Sequence, residues 1–293
     1  MKKMWAVHGA LALVGFIYGA NYIIAKGVMP DYLGPNAFIV IRVGIAAILF
    51  WIYHAVFIRE KLKYTRDLIP LAKCAFFGVA ANQLMFFNGL NLGSPVNASI
   101  IMTMTPIFVL VISYLWFKER ISKNKLLGIL FGATGAVLLV TDKPISFSND
   151  TFLGDLFVIG NATSYAIYLV MVRPLMQRYE AATVVKWIFI LGFFMTLPFG
   201  AVSLYQTEIS TIPFSIWGSV AYVIIGTTFL AYLLNAMALR HVSSAVVGYY
   251  IYIQPVVSTF IAISIGHENF MWSKILYALL IFTGVYLVSK KEG

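Results

Sequence analysis

Amide, hydroxyl and aromatic side chains recur at helical spacing inside long apolar stretches of this chain. Asn161, Ser164, Tyr165 and Tyr168 follow the i, i+3, i+4, i+7 pattern of one helix face. Uncharged groups of this kind bind solutes through hydrogen bonds and ring contacts. The residues predicted to line a binding cavity are Tyr18, Asn21, Asn82, Gln83, Thr103, Tyr165, Tyr168, Thr228, Tyr232, Asn235, Tyr249 and Tyr252. The alternative is that they bond neighbouring helices to each other, at about 0.6–2 kcal/mol per contact.

No residue pattern for catalysis accompanies these side chains. His267-Glu268 begins like a metalloprotease motif, but the second histidine of that motif is missing. The four histidines, at positions 8, 54, 241 and 267, fall on both predicted sides of the membrane. The sequence also lacks a G-x-S-x-G nucleophile elbow. We therefore predict neither an enzyme, nor a metal site, nor a bound cofactor.

The composition predicts that the surrounding helices lie in a lipid bilayer. Of the 293 residues, 61% are hydrophobic and only 11% are charged, with a mean hydropathy of +0.87. Soluble domains carry about 25% charged residues, so this chain has too little polar surface for water. The net charge of +10 lies in short loops between apolar runs. It therefore indicates membrane topology and not nucleic-acid binding.

The apolar runs predict an all-α membrane protein with ten transmembrane helices, the first of them retained. Each run approaches the ~20 residues that a span requires. The predicted spans are 5–25, 36–58, 68–90, 96–117, 125–141, 153–172, 183–202, 214–237, 244–265 and 272–289. With a cytoplasmic N-terminus, sixteen Lys and Arg residues fall on the inner side and three on the outer side. This positive-inside bias places both termini in the cytoplasm.

An internal repeat relates the two halves of the chain at a constant offset of 149 residues. The matching pairs are Pro106 and Pro255, Glu119 and Glu268, Lys125 and Lys274, and Gly135 and Gly284. Residues 1–142 and 143–293 then form two five-helix repeats. Because five is odd, the second repeat must be inverted in the membrane. Inverted repeats place a substrate site near the midplane, between the halves.

Several residues have a predicted role in gating or in structure. Pro106 and Pro255 each free the carbonyl four residues before them, at Met102 and Ile251, which favours a gating break over a simply packed kink. Glu119 and Glu268 close spans four and nine, where they either gate the pathway or cap the next helix.

Arg42 lies inside span two. It either binds a substrate carboxylate or has a structural, snorkelling role, and the sequence favours the second.

The duplicated motifs resemble the EamA repeat of the drug/metabolite transporter superfamily. In the first half the resemblance rests on Pro106, Lys118-Glu119-Arg120-Ile121, Lys125 and Gly135-Ala136-Val137. In the second half it rests on Gly226-Thr227-Thr228, Ala231-Tyr232, Asn235, Pro255, Glu268 and Gly284-Val285. The second copy departs from the pattern at Tyr277, where the first has Gly128. The resemblance covers about residues 6–141 and 152–289, and it implies ten helices and the transport of metabolites or drugs.

Together these features predict a secondary transporter of a small organic metabolite, working as an exporter or exchanger by alternating access. The alternatives are a channel and a non-transporting receptor or scaffold. No acidic residue lies at mid-span, although Asp155 lies one turn into span six, so we expect facilitated diffusion or exchange. The short loops suggest a bacterial inner membrane. Gly128 and Gly132 support a homodimer or, preferably, internal packing.

Overall fold

The part of the chain that the structure describes is mainly helical, with short turns and loops between the helices. The computed structural model describes residues 2–93, 98, 101–118, 122–140, 149–264 and 271–289, and these residues form no β-strand. The helices, labelled in chain order, are α1 (Lys2–Lys26), α2 (Pro35–Ile58), α3 (Thr65–Leu92), α4 (Thr105–Phe117), α5 (Lys123–Val140), α6 (Asn149–Arg178), α7 (Ala181–Gln206), α8 (Phe214–Leu239), α9 (244–264) and α10 (Trp272–Ser289).

Seven of these helices are long and apolar enough to cross a bilayer, namely α1, α2, α3, α6, α7, α8 and α9. The shorter α4 and residues Ile275–Val288 of α10 are also apolar. Large side chains such as Leu115, Phe194 and Phe260 remain more than 60% exposed. Apolar surface of this extent suits contact with lipid, and helices satisfy their own backbone hydrogen bonds there. The chain is a multi-pass membrane protein.

Local sequence explains where several helices begin and end. Pro35 occupies the first turn of α2, where a missing N–H is tolerated. Ser243 caps α9, and its hydroxyl accepts a hydrogen bond from Val246 N at 3.4 Å. Arg59 and Lys118 take left-handed conformations after α2 and α4, with φ of 56° and 50°. Such residues end a helix and let the chain turn into the next loop.

Spans four and nine are interrupted close to Pro106 and Pro255, where the sequence predicted a break or a kink. In span four, helical Met102 is followed by a turn at residues 103–104, and α4 begins at Thr105. In α9, a 3-10 turn at Tyr250–Tyr252 separates Ser244–Tyr249 from Ile253–Ser264. Pro106 and Pro255 come shortly after these breaks. Proline lacks the N–H that would continue the helical hydrogen bonds, which accounts for the interruptions.

Three of the described helices contain π-helical segments: His54–Ile58 in α2, Phe76–Ala80 in α3 and Tyr222–Leu230 in α8. The segments of α3 and α8 overlap when the sequence is shifted by 149 residues. Carbonyls of the α3 segment accept hydrogen bonds from other helices: Ser164 Oγ donates to Phe77 O at 2.7 Å and Tyr232 Oη to Gly78 O at 2.8 Å. The π-segment of α3 thus supplies acceptors that fix side chains of α6 and α8.

The main helix pairs of the structure are reciprocal: each has a counterpart when the first five helices are exchanged for the last five. α1 packs on α9 as α6 packs on α4, and α3 packs on α6 as α8 packs on α1. α2 contacts α8 as α7 contacts α3, while α2 pairs with α7 and α5 pairs with α10.

Helices α5 and α10 approach each other closely at glycines. A Cβ on Gly128 would lie 2.8 Å from Gly284 O, and one on Gly135 would lie 2.7 Å from Tyr277 O. Because Gly128 and Tyr277, like Gly135 and Gly284, are 149 residues apart, these two contacts are reciprocal. A Cβ on Gly132 would meet the ring of Tyr252. Gly128 and Gly132 are therefore occupied by contacts within the chain.

Candidate functional site

A cavity is lined by side chains from both halves of the chain. It contains about 540 Å³ of empty space, part of it open, and a water-sized sphere can be centred in about 70 Å³ of it. One water needs about 10–15 Å³ on the second measure, so several waters or a compact solute fit. The lining residues are Tyr18, Asn21, Tyr22, Arg42, Asn82, Gln83, Phe86, Met102, Asn161, Tyr165, Thr227, Tyr232, Ile251 and Gln254.

About half of the residues predicted to bind substrate lie in the wall of this cavity. They are Tyr18, Asn21, Asn82, Gln83, Tyr165 and Tyr232. Gln83 Nε2 donates a hydrogen bond to Tyr232 Oη at 2.8 Å, which joins α3 to α8 across the boundary between the halves. The wall therefore combines uncharged polar groups with aromatic rings, as the sequence pattern indicated.

Other predicted residues support the wall from behind. Asn235 Nδ2 donates to Tyr165 Oη at 3.1 Å, and the ring of Tyr168 lies 5.9 Å from that of Tyr165. Thr228 accepts hydrogen bonds from Arg42. These side chains hold lining residues in place and do not themselves face the cavity.

The remaining predicted residues lie elsewhere. Thr103, Tyr249 and Tyr252 are buried but are not part of the wall. Pro106 and Pro255 follow the helix breaks and are themselves buried. Glu119 and Glu268 lie outside the described residues.

Several lining residues were not among the predicted binding residues. Met102 and Ile251 had a sequence signal, because the carbonyls that the two prolines free belong to them. Tyr22 and Gln254 meet at 3.3 Å between Oη and Oε1, a contact between α1 and α9. The others are Phe86, Asn161 and Thr227. The helix spacing already placed Asn161 on the face of Tyr165, whereas only the fold identifies Phe86 and Thr227 as lining residues.

Arg42 reaches the cavity from α2. It lies seven residues after Pro35, roughly 10 Å along the helix axis, and is only 3% exposed. Its Nε and Nη2 donate to Thr228 Oγ1 at 3.1 and 2.7 Å, and Nη2 also approaches Thr227 Oγ1 at 3.5 Å. Its guanidinium carbon lies 4.5 Å from the centroid of the Phe87 ring. The side chain is therefore turned into the protein and does not snorkel to a surface.

A polar network closes the end of the helices that carries the loop between α2 and α3. Asp67 accepts hydrogen bonds from Arg178 Nη1 at 3.1 Å and from Tyr179 Oη at 2.7 Å. Burial, and the hydrogen bond to the Asp67 carboxylate, raise the pKa of Tyr179 above its ordinary value, so its hydroxyl stays a donor at neutral pH.

Further contacts extend this network to neighbouring helices. Glu60 Oε2 accepts from Glu180 N at 2.9 Å and from Thr183 Oγ1 at 2.7 Å. Arg240, just after α8, pairs with Glu180. The network thus ties together the ends of α2, α3, α6, α7 and α8.

The cavity offers non-covalent binding. Its described lining holds one formal charge, that of Arg42, and no carboxylate. No group of three or more His, Cys, Asp or Glu side chains within the described ranges is placed to hold a metal ion. Hydrogen-bonding amides and hydroxyls next to aromatic rings are the usual lining of a site for a small organic molecule.

Comparison with known proteins gives matches over nearly the whole chain. A sequence model of the EamA-like transporter family matches residues 5–141 and 152–290. The chain is 24% identical to the "Uncharacterized transporter YyaM" of Bacillus subtilis over 289 residues, covering 95% of this chain and 92% of that protein. It is 27% identical to an "Uncharacterized transporter" of Archaeoglobus fulgidus over 298 residues, covering all of both chains. A solved crystal structure with 19% identity superposes at a TM-score of 0.74, over 94% of this chain and 97% of that one, so the two share a fold.

Proposed function

Since the chain belongs to the EamA-like transporter family, we propose that it is a secondary transporter that moves a small organic solute by alternating access. The observation that carries the proposal is the cavity, whose wall takes side chains from both halves of the chain. A carrier needs a site that both sides of the membrane reach in turn. A cavity at the boundary between two units that rock against each other meets that need.

The proposal includes ten membrane spans, arranged as two inverted repeats over residues 1–142 and 143–293. The reciprocal main helix pairs under exchange of α1–α5 for α6–α10 support the duplication. The reciprocal glycine contacts of α5 and α10 also support it. An odd number of spans in each repeat, together with the positive-inside bias, favours inversion with both termini in the cytoplasm.

In this mechanism the polar network around Asp67 is the cytoplasmic gate. It ties the ends of five helices together on the side where the positive-inside rule places the cytoplasm. The breaks before Pro106 and Pro255 border the cavity through Met102 and Ile251. They are the points where spans four and nine bend as the gate opens and closes. Glu119 and Glu268 keep their proposed gating role at the ends of those spans.

Transport by exchange or facilitated diffusion fits the charges of the site better than tight proton coupling, and we propose export as its direction. The buried carboxylates of the described residues are Asp67, in the first turn of α3, and Asp155, six residues after the start of α6, so neither lies at the middle of its helix. A proton-coupled carrier commonly places a carboxylate at mid-membrane. A protonophore should therefore leave exchange in proteoliposomes unchanged. Collapse of accumulation on its addition would contradict this part of the proposal.

We place the protein in a bacterial inner membrane, where short loops are usual. A homodimer remains compatible with the large exposed apolar surface. Because Gly128 and Gly132 contact α10 and α9 within the chain, a second copy would bind through other residues.

The decisive experiment fills the cavity without disturbing the lipid-facing surface. Asn21 and Leu13 both lie on α1; Asn21 lines the cavity and is 6% exposed, whereas Leu13 is 48% exposed. A thermal-shift screen of a metabolite library against purified protein supplies the solute. Counterflow of that solute is then measured in proteoliposomes with the wild type, Asn21→Trp and the matched control Leu13→Trp.

We expect saturable counterflow with the wild type and with Leu13→Trp, and its loss with Asn21→Trp at an unchanged elution profile. Ionic current without saturation would favour a channel. Binding without flux would favour a receptor or scaffold. Equal flux from Asn21→Trp would show that the solute does not pass through this cavity.

A further inference from the structure

The cavity holds one formal charge that the described protein does not neutralise. Arg42 is 97% buried in a wall made otherwise of uncharged residues. Within the described ranges, its hydrogen-bond partners are the hydroxyls of Thr227 and Thr228, and no carboxylate pairs with it. A buried cation without a counter-charge is costly, and such groups in membrane proteins mark binding or transport pathways.

The hydrogen bonds of Arg42 leave one side of its guanidinium unused. Nε and Nη2 donate to the two threonines, but Nη1 donates to no acceptor among the described residues. Arg42 itself lines the cavity, so the free space next to this side chain is the cavity.

A purely structural role explains the hydrogen bonds of Arg42 to the two threonines, but not its positive charge or its free Nη1. Two donors tie α2 to the π-helical segment of α8, and two hydroxyls can accept them without any charge on the donor. A neutral side chain would do the same at a lower desolvation cost, and the Phe87 ring, 4.5 Å from the guanidinium carbon, offsets only part of the cost of the charge. The positive charge and the free Nη1 are explained by a ligand that brings its own negative charge. Planar guanidinium groups favour carboxylates because both present two parallel hydrogen-bonding positions.

From this geometry we infer that the transported solute is a small organic carboxylate whose anionic group binds Nη1 of Arg42. The inference rests on the proposed transport function and narrows its substrate class. The apolar part of the solute lies against Phe86, Met102 and Ile251, which line the same cavity. The volume restricts the solute to a compact molecule.

The test uses pairs of solutes that differ in charge but hardly in shape. The probes are benzoate with benzamide and phenylacetate with phenylacetamide, each titrated against purified protein with thermal stability as the readout. The variants are Arg42→Gln, which removes the charge, and Arg42→Lys, which keeps it. Arg59→Gln is the matched control, because Arg59 is exposed at the end of α2 and its Nε bonds only to Ala55 O.

We expect the carboxylates, and not the amides, to stabilise the wild type and Arg59→Gln. Arg42→Gln should weaken carboxylate binding about tenfold or more, since hydrogen bonds to charged groups contribute the most. Arg42→Lys should retain part of the binding. If Arg42→Gln does not fold, the wild-type contrast between acid and amide still decides the question. Equal stabilisation by acids and amides, or by neither, would overturn the inference.

Measurements of flux distinguish a failure of this inference from a failure of the proposed function. Counterflow of a neutral solute that Arg42→Gln leaves intact would keep the transporter and remove the anion site. Arg42-dependent carboxylate binding without any counterflow would keep the anion site and remove the transporter.

Discussion

Gln83 and Tyr232 lie 149 residues apart in the sequence and are joined by a hydrogen bond of 2.8 Å between Nε2 and Oη. The same spacing separates Pro106 from Pro255 and Met102 from Ile251. In the proposed duplication these are equivalent positions. Equivalent residues that contact each other lie at the axis that relates the copies. The energy of this hydrogen bond is therefore expected to measure the contact between the two halves at that axis.

A double-mutant cycle measures that bond. Gln83→Leu and Tyr232→Phe, alone and combined, should show a coupling of about 0.6–2 kcal/mol in the free energy of unfolding, as for hydrogen bonds between membrane helices. The measurement is reversible unfolding of the purified protein in mixed micelles. Additivity within about 0.5 kcal/mol would mean that the contact contributes nothing to stability.

Gly284→Ala should destabilise the pairing of α5 with α10. The added Cβ would lie 2.6 Å from Gly128 O and 2.7 Å from Gly132 N, which are backbone atoms that cannot rotate away. Overpacking of this kind costs roughly 1–3 kcal/mol. Gly9→Ala is the control, because nothing lies within 4 Å of a Cβ at Gly9. Equal melting temperatures for the two variants would contradict the close helix contact.

Asp67→Asn should loosen the gate on the proposed cytoplasmic side. It removes the ion pair with Arg178 and weakens the hydrogen bond from Tyr179. Cys74, the one cysteine of the chain, is fully buried in α3 and reports opening through its reaction with N-ethylmaleimide. Loss of a charged hydrogen bond worth about 1.5 kcal/mol should speed this labelling about tenfold.

Glu208→Gln is the control for that measurement, because Glu208 is exposed on the loop between α7 and α8. Its labelling rate should equal that of the wild type. If Asp67→Asn were labelled no faster than Glu208→Gln, the network would not be a gate.

Pro255→Ala should slow transport without lowering stability. The new N–H adds a backbone hydrogen bond, worth about 0.5–1.5 kcal/mol, across a break that the gating motion is proposed to use. Pro198→Ala is the matched control, because Pro198 lies inside the unbroken helix α7 with an exposed side chain. Counterflow rate and melting temperature are measured for both. Equal rates would leave the break in α9 without a role in transport.

The sequence predicted that the chain is a membrane protein and that its polar side chains point inward. Both predictions follow because lipid makes an exposed polar group costly in every membrane-spanning helix. The sequence did not predict which of these residues line the cavity. Thr228 and Asn235 point inward as Gln83 does, but they do not line the cavity. Thr228 forms a hydrogen bond with Arg42, and Asn235 forms one with Tyr165, behind the cavity wall. Only the packing of distant helices decides between those positions.

Two further features depended on tertiary structure. The π-helical segments leave no pattern in the sequence that a periodicity of 3.6 residues detects. For Arg42 the sequence favoured a structural or snorkelling role over carboxylate binding, because the depth of Arg42 in the span was known but the direction of its side chain was not. Met102 and Ile251, in contrast, could be identified from the sequence. A proline frees the carbonyl four residues before it, and the two freed carbonyls belong to these cavity-lining residues.

The isolated charge of Arg42 also places the site in the membrane's electric field. A complex of Arg42 with an anion is electrically neutral, whereas the empty site carries one positive charge. Moving a full charge across 100 mV changes the free energy by about 2.3 kcal/mol. The membrane potential would then change the rate at which the empty carrier reorients, but not the rate at which the loaded carrier does. Measurements at clamped potential should find net efflux voltage-dependent and one-for-one exchange indifferent to voltage.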